Sequence, residues 1–150
     1  GGEETELPQK TVKVAAELFD KYRIEVKADN HVIRIDQPAS GGGTDSGPNP
    51  LLYMLGALAG CVGTVARIVA NRQHLPLRGL RVGVEGDIDT DFLLGRTKEG
   101  RAGFQAIRVT VDVDADMTQE AKEAFIREVD SRCPISENLL NSTPMEYVVR

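Results

Sequence analysis

Apolar and polar residues alternate at the start of the chain. Val12, Val14, Ala16 and Leu18 fall on one face of an extended segment, and Tyr22, Ile24 and Val26 repeat the pattern. A period of two residues marks half-buried strands. Asp29-Asn30 reads as a tight turn, with Ile33 and Ile35 on the returning strand. Two or three antiparallel strands in a meander are therefore expected. Residues 38–50, PASGGGTDSGPNP, then read as a loop. A phosphate-binding loop is not expected there, because the Gly-Lys-Ser/Thr ending is missing.

The period changes after the loop. Asn49 suits an N-cap and Pro50 the first helical position, and the pattern predicts a helix from Pro50 to Gln73, closed by His74-Leu75-Pro76. Its first turns are apolar nearly all round, with Leu51, Leu52, Met54, Leu55, Leu58, Val62 and Val65. Such a helix is buried on most sides. Gly56, Gly60 and Gly63, with Ala57 and Ala59, narrow it, so a second backbone can approach. That second element is either a sheet of the same chain or the same helix of a second copy.

Period two returns at Leu80, Val82, Val84 and Ile88, and again at Ile107, Val109, Val111 and Val113. Residues 95–103 form a charged tip between these strands, as expected of a solvated hairpin end. Thr118 predicts the N-cap of a second helix to Arg132, with Ala121, Ala124, Phe125 and Val129 on its apolar face. Pro134 starts a short third helix, and Met145, Tyr147 and Val149 alternate as a closing strand. Strands cluster with strands, which predicts an α+β fold with antiparallel sheets.

Composition narrows the function classes. The 150 residues are 41% hydrophobic, enough for one core in a domain over residues 10–150. Residues 1–9 are expected to be a flexible segment and not a signal peptide. A formal charge of -5 argues against nucleic-acid or anionic-membrane partners, which need a basic footprint. The uncharged apolar run over residues 51–66 is shorter than the ~20 residues of a spanning helix. A cytoplasmic protein is expected. Two cysteines do not make a disulfide scaffold, and no metal or cofactor motif is present.

The residues with reactive potential are Cys61 and Cys133. Cys61 lies well inside the apolar helix, ~16 Å from its start, where the helix dipole no longer acts. There it reads as a small buried hydrophobe or as a thiol needing a nearby cation. Cys133 precedes Pro134, where free backbone N–H groups favour a thiolate. Spacing alone neither supports nor forbids a bridge between them. His31 reads as an exposed turn residue and His74 as a helix-end residue. Asp112, Asp114 and Asp116 read as the solvated face of a strand and not as a calcium loop.

The run GGGTDSGPNPLLYMLGALAGC, ending at Cys61, followed late in the chain by Cys133-Pro134-Ile135-Ser136, resembles the OsmC/Ohr family of osmotically inducible and organic-hydroperoxide-resistance proteins. The resemblance implies an OsmC-like α+β fold in an intertwined homodimer, with antiparallel sheets around two long central helices. It implies thiol-dependent reduction of organic hydroperoxides, with Cys61 as the peroxidatic and Cys133 as the resolving thiol. A dithiol would serve as reductant. It further implies an Arg near the first hairpin that stabilises the thiolate. Lys21 is nearest by gap-free count, and Arg23 has the right chemistry and is preferred. Members with strong peroxidase activity carry a Glu directly or one position after the Asn-Pro, paired with that Arg; here Leu51 and Leu52 stand there. Glu17, Glu25 and Asp45 are the carboxylates that might replace it. Without one, Arg23 is expected to be mobile and the Cys61 thiol to titrate near its ordinary ~8.5 or higher. Two other readings remain open at this point: a dimer that binds an apolar ligand, and a redox sensor.

Overall fold

The computed structural model describes residues 8–150. Most of the flexible segment expected over residues 1–9 lies outside them. The elements run β1 (Ala15–Leu18), β2 (Ile24–Ala28), β3 (His31–Ile35), a short 3-10 turn at Ala39–Gly41, α1 (Pro50–Gln73), β4 (Leu77–Asp87), α2 (Thr90–Leu93), β5 (Ala106–Ala115), α3 (Gln119–Arg132) and α4 (Pro134–Leu140). The fold is α+β with antiparallel sheets, as the clustering of strands predicts. The chain divides into two compact units, Gly1–Tyr53 and Met54–Arg150.

The first unit holds the meander β1-β2-β3, antiparallel throughout. Its register sets Val26 opposite both Ala16 and Ile33. β1 is shorter than the alternation suggests. It begins at Ala15, while Val12 and Val14 remain 79% and 63% exposed and outside the ladder. Those side chains match the pattern of a strand but have no partner strand among the described residues.

The second unit is built on a long antiparallel pair, β4 and β5, with Leu80 opposite Val113, Val82 opposite Val111 and Val84 opposite Val109. Period two sends charge to the other face, where Arg108 binds Glu85 and Asp87, and Arg78 bridges Asp114 and Asp116. The aspartates thus form the solvated strand face that alternation predicts. α1 lays Leu58, Val62, Val65, Ala66, Val69 and Ala70 into the core, where Phe125, Val129 and Cys133 join them. These α1 positions recur at three- and four-residue spacing, so one face is buried. The opposite side is not covered: Leu52 and Ile68 are 59% and 45% exposed. A Cβ added at Gly56, Gly60 or Gly63 would meet nothing within 4 Å.

Helix ends follow the local chemistry. The Asn49 Oδ1 accepts the Leu52 N–H at 3.0 Å, and the Thr118 Oγ1 accepts the Ala121 N–H at 3.1 Å. His74 takes a left-handed φ of 56° just past α1, an unusual conformation for a side-chain-bearing residue. One expectation needs correction, and one element is new. The closing strand over residues 145–149 does not form; Met145, Tyr147 and Val149 are 80%, 85% and 91% exposed, with no strand beside them. The short helix α2 is unforeseen; Asp89 caps it by accepting the Asp91 N–H at 2.9 Å. Finally, α1 as a whole is long and apolar enough to cross a membrane by length and composition, although its uncharged stretch is short. Its buried face packs on β4, β5 and α3, as a core helix does.

Candidate functional site: a cysteine pair between two helices

Cys61 projects from the middle of α1, and Cys133 lies between α3 and α4, ending one and capping the other. The structure brings them together: the Cys133 Sγ lies 2.9 Å from the Cys61 Sγ, and both are free thiols. Cys133 is 1% exposed and sits in the core with Phe125 and Val129, whereas Cys61 is partly exposed. As N-cap, the Cys133 Sγ accepts the Ser136 N–H at 3.5 Å. Ser136 in turn donates its hydroxyl to Asp130 at 2.7 Å, tying α4 to the last turn of α3. Beyond the CPIS run itself, no pattern along the chain signals this tie.

Burial pushes the Cys61 thiol above its ordinary value. The hydrogen bond from Cys133 acts in the same direction, and the Ile135 amide opposes them. A charged sulfur here is short of solvation, so the neutral thiol is favoured at rest. This direction agrees with the expectation of an unactivated Cys61.

Arg23 belongs to the first unit, on the turn between β1 and β2. Its guanidinium stacks on Phe19 at 4.5 Å, donates to Asp20 at 3.3 Å and to Glu25 at 3.1 Å. The expected mobile, unpartnered Arg23 is therefore wrong. Glu25, two residues on in β2, is the carboxylate beside it, and Arg34 also reaches Glu25 at 3.6 Å. Arg23 immediately precedes β2 and Glu25 is its second residue, and the two side chains meet there. Lys21 occupies the turn itself with a left-handed φ of 52°, its side chain exposed. Glu17 stands opposite Glu25 in the ladder, and Asp45 is a left-handed loop residue.

Sequence reasoning missed Asp36. It is 1% exposed, and its carboxylate accepts from the Gln37 N–H at 2.7 Å, the Thr44 hydroxyl at 2.8 Å, and the Ser46 hydroxyl and N–H at 2.6 and 3.0 Å. The Ser46 hydroxyl is the main influence holding this carboxyl well below the usual carboxylate range. The glycine-rich loop is thus wrapped around one buried carboxylate. At Gly43 and Gly47 a Cβ would run into the Gln37 and Arg34 carbonyls, so these glycines permit the wrap. The Tyr53 hydroxyl donates to the Arg34 carbonyl at 2.6 Å and fastens the first turn of α1 to β3. The available signal was an acid at the end of a strand, followed by Thr44 and Ser46.

A cleft of about 920 Å³ opens in the second unit beside the dithiol, floored by Leu58, Val62, Ile107, Val111 and Ile126. Arg101, Lys122, Arg127, Asp112, Glu123 and Asp130 add charge of both signs to its lining. Neither cysteine lines it, although Val62 and Ser136 do. Among the described residues no group of His, Cys, Asp and Glu is arranged to hold a metal ion. His31 and His74 are both exposed.

This geometry has relatives. The family model for OsmC-like protein matches residues 43–148, which include the end of the wrapped loop, α1 and both cysteines. The chain belongs to the OsmC-like protein family. Its fold is similar to that of an OsmC like protein from Mycoplasma pneumoniae, with a TM-score of 0.77 at 23% identity over 89% of each chain. An organic hydroperoxide resistance protein OsmC from Legionella pneumophila matches with a TM-score of 0.65 at 21% identity, over 87% of this chain and 89% of that one. The organic hydroperoxide resistance protein OhrB of Bacillus subtilis matches with a TM-score of 0.58 at 22% identity, over 89% and 93%. No curated protein matches the chain.

Proposed function

We propose that the protein is a two-cysteine thiol peroxidase that reduces organic hydroperoxides, with Cys61 as the peroxidatic and Cys133 as the resolving thiol. The observation that carries this reading is the 2.9 Å approach of the two sulfurs in a family that includes hydroperoxide-resistance proteins. The Cys61 thiolate attacks the terminal peroxide oxygen. The O–O bond breaks, the alcohol leaves with a proton, and Cys61 becomes a sulfenic acid. The Cys133 sulfur then displaces that oxygen as water and closes a disulfide, which an external dithiol reduces. Apolar surroundings from Leu58 and Val62 suit an alkyl hydroperoxide better than a strongly hydrated one. Arg23, held by Glu25 and Asp20, is proposed as the cation that favours the thiolate. The cytoplasm, where dithiols are kept reduced, is the fitting compartment.

The same reading includes a homodimer. Its support is the apolar surface a single chain leaves in water: Leu52 and Ile68 on α1, Val12 and Val14 before β1, and Met145, Tyr147 and Val149 at the end. An obligate interface buries more than ~2,000 Å², and burying these exposed apolar side chains is what would favour one. Sedimentation at micromolar concentration tests it, a stable monomer being the contrary result.

One observation favours a second reading. The apolar-floored cleft excludes both sulfurs from its lining, as expected of a module that binds an apolar ligand without turnover. Titration of free thiols after addition of cumene hydroperoxide separates the two. Loss of both thiols, reversed by dithiothreitol, supports the peroxidase, whereas unchanged thiols support the binding module.

A further inference from the structure

The two sulfurs differ in one respect that bears on the return half of the cycle. Cys133 is 1% exposed, enclosed by Phe125, Val129 and α1, while Cys61 keeps part of its surface open. Closing a bond from 2.9 Å to the ~2.05 Å of a disulfide needs under about 1 Å of movement, so the difference persists in the oxidised pair. A second chain can only cover more surface and cannot uncover Cys133. Any path that brings a peroxide to Cys61 also brings a thiol there.

We infer that the reducing thiol attacks the sulfur of Cys61, never that of Cys133, and that Cys133 is the leaving group. This inference rests on the two-cysteine reading above. The attacking thiolate forms a bond to the Cys61 Sγ as the Cys61–Cys133 bond breaks, and the electron pair leaves on the Cys133 sulfur. The Ser136 N–H, already 3.5 Å from that sulfur, donates to it more strongly once it is charged. The departing thiolate then takes a proton from solvent. When the reductant is a dithiol, its second thiolate attacks the reductant sulfur of the mixed disulfide. That step releases Cys61 and leaves the reductant as a disulfide. Exchange follows the sulfur that can be reached and the leaving group that is better stabilised, and both criteria select the same direction here.

The experiment uses the full chain oxidised with diamide, so that the disulfide forms without peroxide. A limiting amount of 2-mercaptoethanol is added, the mixture is quenched in acid, the released thiol is blocked with N-ethylmaleimide, and the peptides are mapped by mass after digestion at low pH. The expected result is mercaptoethanol on the Cys61 peptide and maleimide on the Cys133 peptide. Mercaptoethanol on Cys133, or divided evenly between the two, overturns the inference. A parallel sample oxidised with cumene hydroperoxide keeps the outcomes separate. If diamide closes the bond and hydroperoxide does not, the peroxidase reading fails while the direction of reduction is still measured. If diamide closes no bond, both fail. Replacing Ser136 by Pro, which removes the N–H, should slow reduction of the disulfide by 2-mercaptoethanol. A Ser136→Pro protein that keeps the circular-dichroism spectrum of the parent and is reduced at the parent's rate would overturn the role given to this N–H.

Discussion

Arg23 and Glu25 carry the main residue-scale consequence. With Leu51 and Leu52 after the Asn-Pro, the chain lacks a carboxylate where strong peroxidases of the family are expected to have one, yet Arg23 is held by Glu25 and Asp20 and stacked on Phe19. Glu25→Gln should therefore slow hydroperoxide reduction by releasing the guanidinium, whereas Leu51→Glu should change it little; stopped-flow rates with cumene hydroperoxide decide. The raised Cys61 thiol sets the pH profile. The thiolate is the minor form at neutral pH, so the rate should climb from pH 7 into the alkaline range. A fast reaction below pH 6 would show that another group activates the sulfur. Asp36 predicts acid behaviour. A carboxyl lowered on folding stabilises the protein above its unfolded value of ~3.9 and loses that contribution as pH falls further. Asp36→Asn should lower the Tm at pH 7, and the gap from the parent should narrow below pH 4. The sequence pointed to both cysteines by type and order. It could not place Glu25 or Asp36, because a carboxylate's role is fixed by what it faces and not by its neighbours along the chain.

At the scale of elements, signals that are local were readable. Asn49-Pro50 and His74-Leu75-Pro76 bracket α1, and Thr118 starts α3, because caps are formed by side chains within a few residues. The β4–β5 pair was readable too, since one face of each strand packs on the same chain's core. What failed were segments without a partner among the described residues: Val12 and Val14 before β1, and residues 145–149, alternate like strands but pair with no described strand. α2, four residues long, is too short to leave a periodic trace. Packing predicts two contrasting costs. Val129 is fully buried, so Val129→Ala should cost roughly 2 kcal/mol of stability in urea unfolding. Gly60 faces open space on α1. Gly60→Leu should leave the helix content intact while weakening self-association, a shift that sedimentation reads directly.

At the scale of the whole molecule, Met54–Arg150 forms a unit that carries the core, the cleft and both thiols. The other unit holds Arg23 and the loop wrapped on Asp36. The exposed apolar segments at both ends and along α1 account for a protein proposed to work as a dimer. The disulfide should nevertheless form within one chain, since the two sulfurs that meet at 2.9 Å belong to the same chain. Oxidised protein should therefore run at monomer size on a non-reducing gel.

The most direct test of the central claim is the count of free thiols after one equivalent of cumene hydroperoxide, with the mass of the intact chain measured alongside. The account predicts that both of the chain's cysteines are lost together. The chain should be lighter by the two hydrogens of a disulfide, and dithiothreitol should restore them. Unchanged thiols, or a stable oxygen adduct on Cys61 with Cys133 still free, would contradict it.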